Sequence, residues 1–291
     1  MPTSNVTTRR LTPRYDRIVP LVLLVVLGLT VLFWIDSNPD LLRIEFAADI
    51  PPVALSWVLV VLLAVLASTG ADLLARSHPE MQTRTVPTLN LGFTRIEILP
   101  GLWILPALSV VGSFAFFRLF RESLAGLAFL LALLAVAITL LVVLIGQWYV
   151  LDRRTPVQHQ AQFALQLVAY LLAAGCFSAV SYARLSPLYA ALLVGICAAL
   201  LAYDLLQWTA RPRLLWLATT VGLLVAQAIW AITYWPTSFL VNGSVLLVLF
   251  YLMVSLLHHQ ASQTLQRRLI IEYGLLGSGL VAVVLYVIFM N

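Results

Sequence analysis

Histidine and carboxylate side chains near the ends of long apolar runs are the residues of this sequence best suited to bind a metal ion. His159, His258 and Asp204 are the candidate ligands, since imidazole and carboxylate groups coordinate zinc and iron. No His-Glu-x-x-His motif is present, and His258 and its neighbour His259 point to different faces of a helix. Pairing of acids with arginines at a membrane interface explains the same residues more simply. No metal and no other cofactor is therefore predicted.

A second group of acidic residues follows the first apolar run, and Asp36 and Asp40 are its candidates for catalysis. Membrane glycosyltransferases that use polyprenyl-linked sugars carry a catalytic carboxylate in the first outer loop, and the sequence resembles them in this one respect. The resemblance extends no further than topology and an aspartate, and the chain is shorter than is usual for those enzymes. Outer loops also keep acids simply because they lack basic residues. No catalytic residue is assigned.

The centres of the apolar runs carry no ionisable residue. Proton relays, ion-coupled pumps and voltage sensors place acids, histidines or arginines there, because such groups are costly in lipid and are kept for function. The sequence also has no Gly-rich phosphate loop and no Gly-x-Ser-x-Gly motif. Cys176 and Cys197 both lie within apolar runs and indicate packing rather than a disulfide framework. These features argue against a coupled transporter and against the common catalytic motifs.

The composition indicates that lipid is the solvent of this protein. Of 291 residues, 62% are hydrophobic and 10% are charged, whereas soluble domains are about 45–50% apolar and about 25% charged. The net charge is +5, and all 17 basic residues are arginine. The arginines lie in short segments between apolar runs rather than in a solvated basic patch, so no nucleic acid is predicted as a partner.

Nine apolar runs are long enough to cross a bilayer as helices, since about 20 residues at about 1.5 Å each span its hydrocarbon layer of about 30 Å. Pro100 and Pro106 make the third run the least regular, and a re-entrant third segment would leave eight spans. The predicted fold is an all-α polytopic transmembrane bundle. The nine spans are Ile18–Ile35, Val53–Ala75, Ile98–Phe117, Ser123–Val150, Val157–Ala183, Pro187–Trp208, Leu214–Trp235, Phe239–Leu257 and Leu269–Met290.

The arginines also predict the orientation of these spans. With the N-terminus inside, 13 of the 17 arginines fall in inner segments and 4 in outer segments, as the positive-inside rule requires. The C-terminus is then outside, and Arg118 and Arg121 are exceptions in an outer turn. Residues 1–17 are predicted to be a disordered basic cytoplasmic tail, and residues 18–290 a single transmembrane helical domain.

Small residues in three of the predicted spans indicate close helix packing. Lipid offers no hydrophobic drive between helices, so small residues favour association by letting the backbones approach. These spans are expected to form the tight centre of the bundle or a partner interface. The candidates are Ala173, Gly175 and Ala179 in the fifth span, Gly195 and Ala198 in the sixth, and Gly274 and Gly277 in the ninth.

The arginine-only basic composition, the stretch from Thr85 to Phe93 (TVPTLNLGF) and the nine compact spans together resemble uncharacterised multi-pass membrane proteins of high-GC bacteria. The resemblance extends over most of the chain. It implies no activity and transfers no functional residue. The expected location is a bacterial cytoplasmic (inner) membrane, with multiple crossings.

A non-catalytic role fits these features best: a scaffold, an assembly factor or a subunit of a membrane complex. The expected partners are the lipid bilayer and either a membrane protein or a second copy of the chain. One alternative is an uncoupled transporter or channel for a small or lipidic solute, which a polar-lined cavity would favour and a solidly packed bundle would oppose. Another is a transferase that acts on lipid-linked substrates at the outer face.

Overall fold

Helices dominate the computed structural model, which describes residues 14–37, 53–78, 88–90, 95–97, 100–124, 126–151, 157–207, 214–234, 238–261 and 279. All eight helices in this part of the chain are long and apolar enough to cross a membrane. They confirm the first eight predicted spans, whereas the ninth, Leu269–Met290, lies outside the described residues. The helices are α1 (Tyr15–Ser37), α2 (Val53–Arg76), α3 (Pro100–Leu119), α4 (Leu127–Leu151), α5 (Gln158–Tyr182), α6 (Pro187–Leu206), α7 (Leu214–Ile232) and α8 (Phe239–Ala261).

The helix boundaries follow the chemistry of the residues there. Helices α3 and α6 begin at Pro100 and Pro187, because proline at the first position fixes the backbone angle and lacks an N–H that would have no partner in the helix. Helix α1 begins at Tyr15, three residues before the apolar run predicted from Ile18. Within each helix the backbone groups bond to one another, which is the condition for entering lipid.

Successive helices alternate in direction, so the bundle has two ends. We call the polar end the one at which α1, α3, α5 and α7 begin and α2, α4, α6 and α8 end. There, His78 lies edge-on to Trp148 with ring centres 4.7 Å apart. At the opposite end, the ring of Phe33 stacks on that of Phe129, with centres 4.6 Å apart.

Helix α3 runs the full depth of the bundle. At its start, Gly101 contacts the side chain of Gln207 at the end of α6. Just beyond its last residue, the ring of Phe120 lies 6.5 Å from that of Tyr182 at the end of α5, on the opposite side. The 20-residue helix is long enough to cross about 30 Å. The third span is therefore a full helix that contains Pro106, rather than a re-entrant segment.

A short antiparallel hairpin between α2 and α3 departs from the all-helical prediction. Strand β1 is Thr88–Asn90 and β2 is Arg95–Glu97. Thr88 pairs with Glu97, Leu89 with Ile96 and Asn90 with Arg95. Strands of three residues give too short an alternation of polar and apolar residues to be recognised from sequence. Strand β1 lies within the stretch from Thr85 to Phe93 on which the resemblance to multi-pass bacterial proteins partly rests.

The buried side chains form two large cores, and α3 and α4 contribute to both. One core combines residues of α1 and α2 with residues of α3 and α4, such as Phe114 and Leu140. The other is built mainly from α5 to α8, around residues such as Phe177, Leu201 and Phe250. Because α3 and α4 supply side chains to both cores, they join the two halves of the described bundle.

The most extensive helix contact in the described bundle lies between α6 and α7, where two glycines face each other. A Cβ placed on Gly222 would lie 2.6 Å from the carbonyl oxygen of Gly195 and 2.7 Å from the Cβ of Ala199. Gly195 and Ala198, two of the residues predicted to pack closely in the sixth span, are both buried. The partner helix, α7, was not among the three spans for which close packing was expected.

The small residues expected to pack in other spans have different surroundings. Ala173 of α5 is fully buried and Ala179 is half-buried. Gly175 is exposed, and no described atom lies within 4 Å of a Cβ placed on it. Within the described part of the chain, Gly175 therefore does not lie in a helix contact, because it points away from the neighbours of α5. Gly274 and Gly277 lie outside the described residues.

Candidate functional site

The start of α3 is a polar junction, and its central feature is the carbonyl group of Leu102. Proline has no backbone N–H, so Pro106 cannot donate to the carbonyl four residues earlier, which belongs to Leu102. Gln147 of α4 supplies the missing donor: its Nε2 atom donates to the oxygen of Leu102 at 3.2 Å. Gln147 is buried. A kinked helix is tolerated in lipid when a neighbouring helix satisfies the freed carbonyl in this way.

The next residue of α3 accepts a hydrogen bond from a different helix. The hydroxyl of Ser68 in α2 donates to the carbonyl oxygen of Trp103 at 2.9 Å. Ser68 is almost completely buried. Two consecutive carbonyl groups of α3 therefore receive side-chain donors from two different helices, α2 and α4.

Helix α6 completes the junction at Gly101. The side-chain amide of Gln207 contacts Gly101 so closely that a Cβ at this position would collide with it. Gln207 in turn donates through Nε2 to the carboxylate oxygen Oδ1 of Asp204 at 2.8 Å. Asp204 is buried at the end of α6. Residues 101 to 103 thus contact polar side chains from α2, α4 and α6, and this set of contacts defines the polar junction.

A second group of buried polar side chains lies at the same end, around α2 and α4. The Nε atom of Arg76 donates to Oδ2 of Asp72 at 2.8 Å, and His78 is fully buried beside Trp148. Oδ1 of Asp72 and the indole Nε1 of Trp148 have no hydrogen-bond partner among the described residues. Buried atoms of this kind commonly hold ordered water.

The predicted metal ligands lie on three helices with different surroundings. His159 is exposed on α5, His258 is half-buried on α8, and Asp204 is buried on α6 with its bond to Gln207. In the part of the chain that the structure describes, no group of three His, Cys, Asp or Glu side chains lies close enough to hold a metal ion. The three candidates therefore do not assemble into a site there.

Of the two predicted catalytic aspartates, Asp36 belongs to the opposite end. Asp36 is half-buried in the last turn of α1, and Asp40 lies outside the described residues. Next to Asp36, the carbonyl oxygen of Ser37 accepts a hydrogen bond from Nη2 of Arg121 at 2.6 Å. Among the described residues, no hydrogen bond or ion pair to the carboxylate of Asp36 is seen.

The two cysteines lie close together, which their positions in the sequence do not indicate. Cys176 in α5 and Cys197 in α6 are both free, and their thiols lie near enough to interact. They join the core that α5 to α8 build. The interpretation of these residues as packing residues fits this position.

The two best-defined cavities of the described bundle are both lined mainly by apolar residues. The smaller one lies among α1 to α4 beside Pro106 and has a volume of only about 10 Å³, which is at the lower limit for one water molecule. The other is an open groove of about 490 Å³ between α1 and the start of α4. Neither offers the polar-lined passage expected of a channel or carrier.

Sequence reasoning found the acids and histidines of the polar end but missed the residues that do most of the bonding there. The position of Pro106 in the sequence points to the carbonyl of Leu102, yet the donor Gln147 cannot be identified without knowing which helix lies beside α3. Gly222 could have been found, because Ala218, Gly222 and Ala226 recur at intervals of four along one face of α7.

The family of the chain follows from a comparison with known families. Residues 37–287 match the family model described as "Protein of unknown function (DUF5656)". The match extends over most of the chain, so this multi-pass helical membrane protein belongs to that family. No curated protein and no solved structure is similar enough to the chain to count as a match.

Proposed function

We propose that the protein is a non-catalytic component of a bacterial cytoplasmic membrane complex: a scaffold, an assembly factor or a subunit. The observation that carries this proposal is the use made of the buried polar side chains. Gln147 and Ser68 bond to the backbone of α3, and Asp204 accepts a hydrogen bond from Gln207, whose side chain contacts Gly101 of α3. These groups hold helices together rather than lining a path for a solute or surrounding a reactive group.

The other two functions draw less support from the geometry. An uncoupled transporter or channel needs a polar-lined cavity, and the two best-defined cavities of the described helices are apolar. A transferase needs a carboxylate with partners at the outer face, and the described surroundings of Asp36 provide none. Replacing both Asp36 and Asp40 by Asn is expected to leave the cellular glycolipid profile unchanged. A changed profile would favour the transferase.

The proposal includes an orientation in which the polar end faces the cytoplasm. The segments at that end hold 13 of the 17 arginines, and basic residues favour the cytoplasmic side of a bilayer. Fusing a reporter that is active only in the cytoplasm before Met1, or after Arg154 between α4 and α5, is expected to give activity. The same reporter inserted after Arg184, between α5 and α6, is expected to be inactive. The reverse pattern would contradict the orientation.

Copurification tests the main proposal. The full chain is extracted with a mild detergent and its mass is determined by native mass spectrometry, beside an unrelated multi-pass protein with the same affinity tag. A scaffold or subunit is expected to carry a second protein, or a second copy of itself, in fixed ratio that the control lacks. A monomer with no bound protein would contradict the proposal.

A further inference from the structure

The open groove at the opposite end has the size and lining of a site for a hydrocarbon chain. It runs between the last turns of α1 and the start of α4, and we call it the α1–α4 groove. Its volume is about 490 Å³, within the range of about 300–1,000 Å³ typical of small-molecule pockets. Most of its lining is carbon, and the walls include Val31, Phe33, Trp34, Leu124 and Phe129.

Packed aromatic rings give the groove a fixed wall. Phe33 and Phe129 stack with ring centres 4.6 Å apart. Both rings pack against Phe117, at 5.9 Å and 5.7 Å, and Phe117 is completely buried. Because close-packed side chains in a core keep their positions, this wall retains its shape whether or not the groove is occupied.

A positive charge is anchored where the α1–α4 groove approaches the membrane surface. Arg121 lies three residues before Leu124 of the groove, and its Nη2 atom donates to the carbonyl oxygen of Ser37, three residues beyond Trp34. The bond uses one of the five N–H donors of the guanidinium group. Arg121 is exposed, and the described residues provide no acidic side chain within salt-bridge distance of it. The remaining donors can bind a phosphate.

The position of Arg121 is unusual for this chain, which strengthens the case for a ligand. Only 4 of the 17 arginines lie in the segments at this end. A second one, Arg118, has its guanidinium carbon 5.9 Å from the centre of the Trp57 ring. That contact keeps Arg118 beside α2, so Arg121 is the arginine better placed to bind a phosphate at the groove. Arg118 adds positive charge nearby.

We propose that the α1–α4 groove binds one anionic glycerophospholipid, with an acyl chain along the aromatic wall and the phosphate at Arg121. Bulk lipid tails are as apolar as the groove, so moving the acyl chain into the groove gains no hydrophobic free energy. The acyl chain contributes shape complementarity instead. The selectivity for an anionic headgroup then comes from the arginine charge. This site does not depend on the role proposed above, and it would be present in a scaffold, a subunit or a carrier.

Lipid retention tests the site directly. The full chain is reconstituted in nanodiscs that contain phosphatidylcholine and phosphatidylglycerol, is then extracted in mild detergent, and its bound lipids are counted by native mass spectrometry. We expect one retained phosphatidylglycerol. Arg121→Gln is expected to lower its retention about five-fold, as expected for the loss of one arginine contact to an anionic lipid. Val31→Trp, which fills the groove, is expected to abolish the retention.

Two control variants distinguish loss of this site from the effect of removing any arginine at this end or of adding bulk anywhere on α1. Arg184→Gln removes an exposed arginine at the same end, and Leu23→Trp adds the same bulk to an exposed position of α1 outside the groove. Both are expected to retain the lipid. Leu124→Trp fills the groove from the other side and replaces Val31→Trp if that variant fails to fold.

The same measurement can overturn the proposal. Equal retention of phosphatidylcholine and phosphatidylglycerol would do so, as would equal losses in Arg184→Gln and Arg121→Gln. If the groove instead seats a helix of a partner protein, the groove-filling variants would lose that protein while keeping their phosphatidylglycerol, and this result also contradicts a lipid site.

Discussion

The α6–α7 contact and the polar junction of α3 both hold helices together in lipid, but they do so by opposite means. At the α6–α7 contact, Gly195 and Gly222 remove side-chain atoms so that two backbones approach. At the polar junction, Gln147 and Ser68 add polar atoms that bond to a backbone disturbed by Pro106. The first contact cannot tolerate added atoms, and the second cannot tolerate the loss of donors. A larger residue is therefore expected to destabilise the first, and an apolar residue in place of a donor is expected to destabilise the second.

The largest effect is expected where atoms are added between α6 and α7. The Cβ and the rest of the side chain in Gly222→Leu would collide with the backbone of Gly195, and we expect a loss of about 3 kcal/mol in the free energy of unfolding. Thermal unfolding of the purified protein in detergent measures it. Gly175→Leu adds the same side chain where no described atom lies within 4 Å, and it is expected to change little. Equal losses of stability in Gly222→Leu and Gly175→Leu would contradict a specific role for the close approach of α6 and α7.

A smaller effect is expected when the polar junction loses its main donor. Gln147→Leu keeps the volume of the side chain but leaves the carbonyl of Leu102 without its partner, which costs about 2 kcal/mol. The stability is measured in the same detergent. Gln166→Leu on α5 replaces a half-buried glutamine for which the described structure shows no hydrogen bond, and it should be nearly neutral. A stable Gln147→Leu protein would contradict the role of this bond.

The smallest effect is expected at Ser68. Ser68→Ala removes its bond to the carbonyl of Trp103, and bonds between helices in membranes contribute about 0.6 kcal/mol on average and at most about 1–2 kcal/mol. Ser113→Ala is the matched control, because the hydroxyl of Ser113 donates to the carbonyl of Ser109 within its own helix at 2.6 Å. If the two variants lose the same stability, the bond from α2 to α3 adds nothing to the junction.

The sequence allowed much of the fold to be predicted, because the length of an apolar run is a property of the chain alone. The start of the sixth span at Pro187 was predicted correctly, and α8 continues to Ala261, beyond the predicted Leu257, because a helix can extend past the apolar window. Helix neighbours were not predictable in the same way. All faces of these helices are apolar, so hydropathy does not specify that α7 packs on α6.

The site was less predictable than the fold for a related reason. Asp204 and the histidines were predictable as candidates because ionisable groups are rare in such spans. Gln147 carries no charge, and its role depends on Pro106 of another helix. The pairing of a proline with a distant glutamine becomes visible only when the helices are placed side by side.

The most direct test of the claim that buried polar side chains support the backbone of α3 is a double-mutant cycle with Gln147→Leu and Pro106→Ala. Alanine at position 106 restores an N–H that can donate to the carbonyl of Leu102, so Gln147 is no longer needed there. The free energy of unfolding is measured for all four proteins. We predict that Gln147→Leu loses about 2 kcal/mol beside Pro106 and less than about half of that beside alanine. The same loss in both backgrounds would contradict the account.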